Sequence, residues 1–331
     1  MDYIWGYFIH LGNNMWRDTW SNVEHRGPHI CQATARWQTK VITDRAVWRD
    51  VVDYLPSCGV NMLVIDVGEG VQYDSHPELS TPGAWSKDEL RAEVKRIRAM
   101  GMEPVPKLNF SSYHDAWLRE YAWMKGTAKY YEVVKDLIDE VAEIFAPVKY
   151  FHLGMDEESV PNHRKGITII RCNDLWYHDL YYYIDCIGKH GARPLLWGSY
   201  YRFNKDTFAQ KMPKDCILVD NSFERVVKDP TGRYVNEGFN AVIERSRLGY
   251  DQLLDCSVWC CKQNVAQAVL LARDEGLFDE HMLGLLASPW AKTTEDNRYA
   301  LLDMAHRLKY AKPLFEKYYL SDKKNNLKGQ R

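Results

Sequence analysis

Short β-branched or aromatic runs alternate with amphipathic stretches along the whole chain, and this alternation constrains the fold most. Eight such runs occur, at 3–11, 61–66, 103–109, 149–154, 193–198, 216–220, 254–259 and 284–288. Strand–helix alternation is typical of parallel strands joined by helical crossovers, and eight repeats close a barrel. With 331 residues, 46% of them hydrophobic, the chain can fill one such barrel. We predict an α/β fold, a single (β/α)8 TIM barrel over 1–320, with 321–331 as a frayed tail.

The stretches between the runs carry helix signals. Ser86 and Glu89 have the spacing of a capping box, and Leu90, Val94 and Ile97 follow at helical spacing. The same period predicts helices after Thr43 and over or near 133–144, 173–190, 238–250, 264–277 and 294–310. An open doubly wound sheet is the alternative, but no Gly-x-Gly-x-x-Gly or phosphate-loop motif follows any run. We therefore favour the barrel and expect no cofactor.

The charge balance and the cysteine content limit the classes of partner and the cellular compartment that we expect. Lys and Arg number 43 against 45 Asp and Glu, and no basic cluster or long apolar stretch occurs. We expect neither nucleic acid nor a membrane as a partner, and the oligomeric state stays open. The eight cysteines include no Cys-x-x-Cys pair, which favours reduced, mostly buried thiols and a cytoplasmic setting.

Polar and aromatic residues follow most of the predicted strands. The active site of such a barrel forms where the strands end, so these residues are expected to share one mouth. The 12 Trp and 21 Tyr fit a sugar site, because sugar rings stack on aromatic faces, although a large core would also absorb them. The predicted substrate-binding residues are His10, Asp66, Asn109, His114, Trp197, Tyr200, Asp220, Trp259 and Trp290.

The segment 151–157 is the most informative, because Asp156 and Glu157 are adjacent at a predicted strand end. Like charges this close raise one pKa, and a carboxylic acid that stays protonated can cleave a glycosidic bond as a general acid. Acidic clusters at loop starts more often cap helices or face water. The predicted position at the barrel mouth favours the catalytic interpretation.

The sequence 152–157 resembles the His-x-Gly-Gly-Asp-Glu motif of the family 20 glycoside hydrolases, the β-N-acetylhexosaminidases. Residues 85–90, 101–109 and His114 are similar to the third βα unit of that family, and 63–66 with 76–79 to the second. The resemblance covers about 61–160. It implies a retaining glycosidase in which Glu157 is the general acid and base, Asp156 orients the attacking acetamido oxygen of the substrate, and the tryptophans wall the sugar site.

The chain departs from the family pattern around this motif. Lys107 and Asn109 stand where the family has Glu and Asp, Met155 replaces a glycine, and the loop to His114 is one residue longer. Strand one lacks the expected Arg, strand seven the Tyr-x-Asp and strand eight the Trp-Glu of the family. The acid machinery therefore resembles the family better than the sugar-binding residues do.

Three alternatives to an acetamido-assisted glycosidase stay open at this point. One is a carbohydrate-binding barrel without turnover. Another is a two-carboxylate retaining glycosidase with Asp66, Glu69 or Asp220 as nucleophile. The third is a metal-dependent barrel enzyme using residues such as His10 and His152, but no His-x-His spacing organises a ligand set, and we predict no metal.

Overall fold

The eight predicted strands form a closed parallel barrel in the order β1 to β8. The computed structural model describes residues 3–15, 38–158, 171–221 and 223–329, with the backbone alone for 221 and 321–329. The strands are β1 Ile4–His10, β2 Met62–Asp66, β3 Glu103–Lys107, β4 Tyr150–His152, β5 Arg193–Trp197, β6 Ile217–Asn221, β7 Gln252–Cys256 and β8 Met282–Ala287. The prediction of a (β/α)8 TIM barrel is confirmed.

An α-helix follows each strand in the described part of the chain. The helices are α1 Arg45–Tyr54, α2 Lys87–Ala99, α3 Ala128–Ile144, α4 Asn173–Gly188, α5 Lys205–Lys211, α6 Glu237–Arg247, α7 Asn264–Asp274 and α8 Arg298–Gly329. The capping box at Ser86 and Glu89 is formed and begins α2. Helix α8 continues through 321–329, the segment expected to fray. None of the described helices is long and apolar enough to cross a membrane.

Strand β7 ends three residues before Trp259, earlier than the sequence pattern indicates. The backbone N–H of Ser257 donates to Oδ1 of Asn264 (3.0 Å), and the N–H of Trp259 donates to the Ser257 hydroxyl (3.2 Å). These side-chain acceptors take the backbone hydrogen bonds out of the ladder, and 258–260 form a turn. Helix α5 was not predicted, because Phe208 is its single buried residue and no apolar period marks it.

Side chains alternate between the barrel interior and the surrounding helices, as the strand repeat requires. In β2, Met62 and Val64 pack inside the barrel, whereas Leu63 and Ile65 belong to the larger core shared with the helices. The interior cluster consists of Phe8, Met62, Val64, Val105, Leu195, Trp197, Ile217, Val219, Leu253 and Leu286. The interior is therefore a packed apolar core, and the polar residues above it lie at the C-terminal ends of the strands.

The cysteines that the structure describes are all free thiols. Cys58, Cys186, Cys216 and Cys256 are buried, whereas Cys172 and Cys260 are exposed and Cys261 is half-buried. Cys31 lies outside the described residues.

Candidate active site

The loop after β4 turns sharply and carries the two candidate catalytic carboxylates. Gly154, Met155 and Glu157 all have left-handed backbone conformations, with φ of 71°, 61° and 55°. Only glycine adopts this region without cost, and a Cβ at position 154 would overlap the side chain of Asn109. The turn sends neighbouring side chains in different directions. The side chain of Asp156 is 11% exposed, whereas that of Glu157 is 46% exposed.

Hydrogen bonds from the loop after β3 hold Asp156. The side-chain amide of Asn109 donates to its Oδ1 (2.9 Å), and the Ser111 hydroxyl donates to its backbone oxygen (2.6 Å). Burial alone would raise the pKa of Asp156, but His114, Lys107 and Asn109 lower it well below its usual range. Asp156 is therefore ionised at neutral pH.

His114 lies between the two carboxylates. Its Nδ1 is 3.0 Å from Oδ2 of Asp156, and its Nε2 is 3.4 Å from Oε2 of Glu157. Burial disfavours the charged ring, but the negative charges of Asp156 and Glu157 outweigh it and raise the pKa of His114. One imidazole therefore couples the buried carboxylate to the exposed one.

A buried ion network anchors the rest of the loop. Glu158 accepts the backbone N–H of Ser112 (3.0 Å) and pairs with Arg171, whose guanidinium also lies 2.9 Å from Asp179 in α4. The side chains of Glu158, Arg171 and Asp179 are fully buried. The backbone N–H of Glu157 donates to the hydroxyl of Ser199, after β5 (3.0 Å). The loop with the carboxylates is thus fixed to neighbouring strands on both sides.

Four side chains of consecutive strands lie side by side beneath this loop. Strand register pairs His10 with Asp66, Asp66 with Lys107, and Lys107 with His152. Nζ of Lys107 is 2.6 Å from Oδ2 of Asp66, which also lies 3.3 Å from Nδ1 of His10. Burial and the charge of Lys107 lower the pKa of His152 to about 3, so this ring is neutral.

The three predicted tryptophans belong to one aromatic group. Trp197 packs on Trp290, with ring centroids 5.4 Å apart, and Phe223 lies 5.9 Å from both Trp290 and Trp259. Trp290 also contacts the ring of His10, 6.1 Å away. Trp197 is 2% exposed and forms the floor of the mouth, whereas Trp290 and Trp259 are half-buried.

The structure does not bring Tyr200 and Asp220 into this group. Tyr200 stacks on Trp176 of α4, with centroids 3.9 Å apart and the rings nearly parallel. Asp220 pairs with Arg202 and with the fully buried Arg245 of α6, 2.6 and 2.5 Å away. Asp220 follows the inward-facing Val219, so the alternation along β6 already turns it toward the helices.

Sequence reasoning missed several polar residues of the site. Lys107 lies two residues before Asn109, and Ser199 lies two residues after Trp197, so the strand repeat would have placed both on the inner face. Ser111 and the Glu158–Arg171 pair had no comparable signal. Among the described residues, no group of three or more His, Cys, Asp or Glu side chains is arranged to hold a metal ion.

Several solved structures that resemble this barrel are glycosidases, although no protein-family model and no curated protein matches the sequence. The Flavobacterium johnsoniae chitobiase superposes with a TM-score of 0.55 at 16% identity over 85% of this chain. A Bacteroides fragilis β-N-acetylhexosaminidase superposes with a TM-score of 0.58 at 13% identity over 96% of this chain. The chain has the barrel fold of the family 20 glycoside hydrolases.

A third family 20 structure, the Vibrio harveyi exo-β-N-acetylglucosaminidase in complex with N-acetylglucosamine, gives a TM-score of 0.56 at 13% identity over 97% of this chain. The chain spans 51% of the F. johnsoniae, 70% of the B. fragilis and 58% of the V. harveyi protein. The segment that resembles the family 20 motif, 152–157, lies at the C-terminal end of β4 in this fold.

Proposed function

We propose that the protein is a retaining glycoside hydrolase that removes an N-acetylhexosamine from a carbohydrate with the help of the substrate's acetamido group. The observation that carries this proposal is the arrangement of Asp156, Glu157 and His114. A buried carboxylate with a lowered pKa lies next to an exposed one, and a single imidazole contacts both. The family 20 fold supports the same substrate class.

In the proposed reaction, Glu157 protonates the glycosidic oxygen as the bond to the anomeric carbon breaks. The acetamido oxygen of the same sugar attacks that carbon and forms an oxazolinium ring. The carboxylate of Asp156 accepts the acetamido N–H and stabilises the positive charge that develops on the ring. Glu157 then removes a proton from the water that opens the ring, so the product retains the configuration of the substrate.

The carboxylates that could act as the nucleophile in a two-carboxylate mechanism already have ion-pair or hydrogen-bond partners within the protein. Asp66 pairs with Lys107 inside the barrel, and Asp220 pairs with two arginines. Glu69 is buried, accepts the backbone N–H groups of Asn13 and Asn14, and has its pKa raised to about 7 by burial. These contacts favour the acetamido oxygen as nucleophile.

The test compares Glu157→Gln and Asp156→Asn on aryl N-acetyl-β-glucosaminides whose leaving groups differ in basicity. Glu157→Gln should lower kcat/KM by about 10²–10⁴-fold on basic leaving groups, and least on activated ones that need no protonation. Asp156→Asn should slow all N-acetyl substrates alike, because it acts on the ring charge. Glu132→Gln, at a glutamate 60% exposed on α3, is the matched control and should leave the rate unchanged.

Two results would contradict the proposal. Equal rates of hydrolysis of plain β-glucosides and N-acetyl-β-glucosaminides would indicate that a carboxylate of the protein is the nucleophile, and not the acetamido oxygen. Binding of N-acetylglucosamine without turnover of any aryl glycoside would instead indicate the carbohydrate-binding barrel.

A further inference from the structure

Glu157 has a backbone conformation that its residue type disfavours. Its φ of 55° lies in the left-handed region, which costs free energy for residues other than glycine, asparagine and aspartate. Its side chain is 46% exposed, and its Oε2 lies 3.4 Å from Nε2 of His114. A strained residue keeps its conformation only where the surrounding structure holds it. The contacts that hold the backbone of Glu157 therefore also set where its carboxyl group lies.

The peptide group before Glu157 is fixed at both of its polar atoms. Its carbonyl oxygen, that of Asp156, accepts the Ser111 hydroxyl (2.6 Å), and its N–H donates to the Ser199 hydroxyl (3.0 Å). Because this peptide is held, a rotation about the N–Cα bond of Glu157 would swing its side chain. The conformation of Glu157 then depends on where the next residue, Glu158, is held.

Arg171 holds Glu158 through a bidentate contact. Its Nη2 and Nε donate to the two carboxylate oxygens, Nε at 3.2 Å, and both side chains are fully buried. Nη2 also donates to the backbone oxygen of Phe110 (2.6 Å), and Glu158 accepts the N–H of Ser112 (3.0 Å). Bidentate pairs of this kind fix both distance and orientation. Glu158 is thus tied to the loop after β3, which carries His114.

The other side of the guanidinium faces the helices. Nη1 lies 2.9 Å from Oδ2 of Asp179 and 2.9 Å from the hydroxyl of Tyr183, both in α4. Together with the bonds to Glu158 and Phe110, these contacts use all five N–H groups of Arg171. A lysine has the same charge but cannot reproduce this planar set of bonds.

We propose that Arg171 is a positioning residue for the general acid: through Glu158 it keeps the backbone of Glu157 left-handed and its carboxyl group beside His114. Without this anchor, relief of the backbone strain would carry the carboxyl group away from the position in which it protonates the glycosidic oxygen. The catalytic part of this inference rests on the proposed function, whereas the effect on the conformation of Glu157 does not.

The first test compares Glu158→Gln with Glu140→Gln. In Glu158→Gln an NH2 group replaces one of the two oxygens that face Arg171, so one hydrogen bond of the pair is lost. For aryl N-acetyl-β-glucosaminides with basic leaving groups, kcat/KM should fall about 10–10²-fold, the effect of misplacing a catalytic group by about 1 Å. The loss should be least with activated leaving groups, which need no protonation.

Glu140 of α3 is the matched control. Its side chain is 6% exposed, it accepts the backbone N–H groups of Asp74 (2.7 Å) and Ser75 (3.0 Å), and Nζ of Lys87 lies 3.3 Å away. Glu140→Gln therefore removes a buried carboxylate with backbone and cation partners outside the site. It should lower the stability of the fold and leave kcat/KM unchanged for every leaving group.

The second test needs no substrate. Crystal structures of Glu158→Gln and Arg171→Lys should show Glu157 outside the left-handed region and its carboxyl group away from His114. The structure of Glu140→Gln should show both features unchanged. Retention of the Glu157 conformation in Glu158→Gln and Arg171→Lys would overturn the inference. Losses of kcat/KM that are equal for all leaving groups, or no larger than in Glu140→Gln, would overturn it as well.

The two variants also separate positioning from folding. If Glu158→Gln does not fold, Arg171→Lys decides by the same measurements, because it keeps the charge and loses the bidentate geometry. If neither variant folds, the pair serves the fold alone and the inference is overturned. Absence of turnover in the wild type would count against the proposed function, and the crystal structures would still decide the effect on Glu157.

Discussion

The two halves of the barrel mouth are built differently. The acid side consists of Asn109, His114, Asp156 and Glu157, which bind one another directly. The aromatic side consists of His10, Trp197 and Trp290, together with Asp255 of β7, the strand next to β8. Among the described residues, Nε1 of Trp197 and of Trp290, Nε2 of His10 and Oδ2 of Asp255 are buried without a hydrogen-bond partner.

The two sides differ in how their buried polar atoms are hydrogen-bonded. Buried polar atoms are nearly always hydrogen-bonded, so the donors and acceptors of the aromatic side must be satisfied by solvent or by a ligand. The residues of the acid side contact one another within the protein, so their arrangement does not depend on a ligand. Under the proposed function, the acid side would carry catalysis and the aromatic side would carry sugar selectivity.

The largest effect is expected when His114 is changed. His114→Gln removes the imidazole between Asp156 and Glu157, and kcat/KM for an N-acetylhexosaminide should fall about 10²–10³-fold. The Kd of the sugar, measured by calorimetry, should change little, because the ring stacks on the opposite side. His178→Gln, at a histidine 62% exposed on α4, is the control. A loss confined to Kd would break the division between the two sides.

The second prediction compares the buried carboxyl groups of the two sides. Burial raises the pKa of Asp255 well above its usual value, against the opposing hydrogen bond from Ser288, whereas the pKa of Asp156 is lowered. Asp156 therefore contributes stability above about pH 4, the unfolded value, and loses it as pH falls through its folded pKa. The contribution of Asp255 has the opposite sign: it is full below about pH 4 and is lost as pH rises.

Denaturant unfolding from about pH 2 to pH 7 should show opposite slopes relative to wild type, that of Asp156→Asn below about pH 4 and that of Asp255→Asn above it. Asp156→Asn should cost about 2 kcal/mol at neutral pH and less in acid. Asp255→Asn should stay within about 1 kcal/mol of wild type and become relatively more stable as pH rises. Parallel slopes would show that the two carboxyl groups are not in contrasting environments.

The smallest effect concerns sugar binding. Trp290→Ala should weaken the binding of N-acetylglucosamine by about tenfold, the size of a lost stacking contact, with kcat nearly unchanged. Trp290→Phe, which keeps a ring, should lose less. Trp123→Ala, at a tryptophan 44% exposed, should have no effect. A fall in kcat without a change in Kd would reassign Trp290 to the acid side.

The sequence was sufficient for the barrel because strand and helix periods are local signals. The predicted end of β7 was misplaced because the strand is followed by apolar residues such as Trp259. There, backbone N–H groups donate to side-chain acceptors and the ladder ends. Hydrophobicity along the chain carries no information about those acceptors. Helix α5 was missed for a different reason: its seven residues bury one side chain, so no apolar period marks the helix.

The residues of the candidate site could be predicted from the sequence less completely than the barrel. Asp156, Glu157, Asn109 and His114 were chosen from a motif and the structure brings them together, but Asp220 was chosen for its place at a strand end. Its direction follows from the alternation of side chains along β6, which turns it toward the helices. The pairing of Asp66 with Lys107 and His10 depends on the register between strands, and a single sequence does not contain it.

The contact between Gly154 and Asn109 has a consequence for how this barrel can diverge. Any side chain at position 154 would strike Asn109, and Asn109 supplies both the amide that binds Asp156 and the oxygen that accepts the N–H groups of Ser111 and Met155. A side chain at position 154 would therefore displace the amide that holds the carboxylate. Distant relatives should keep glycine at this position even where the surrounding motif has drifted.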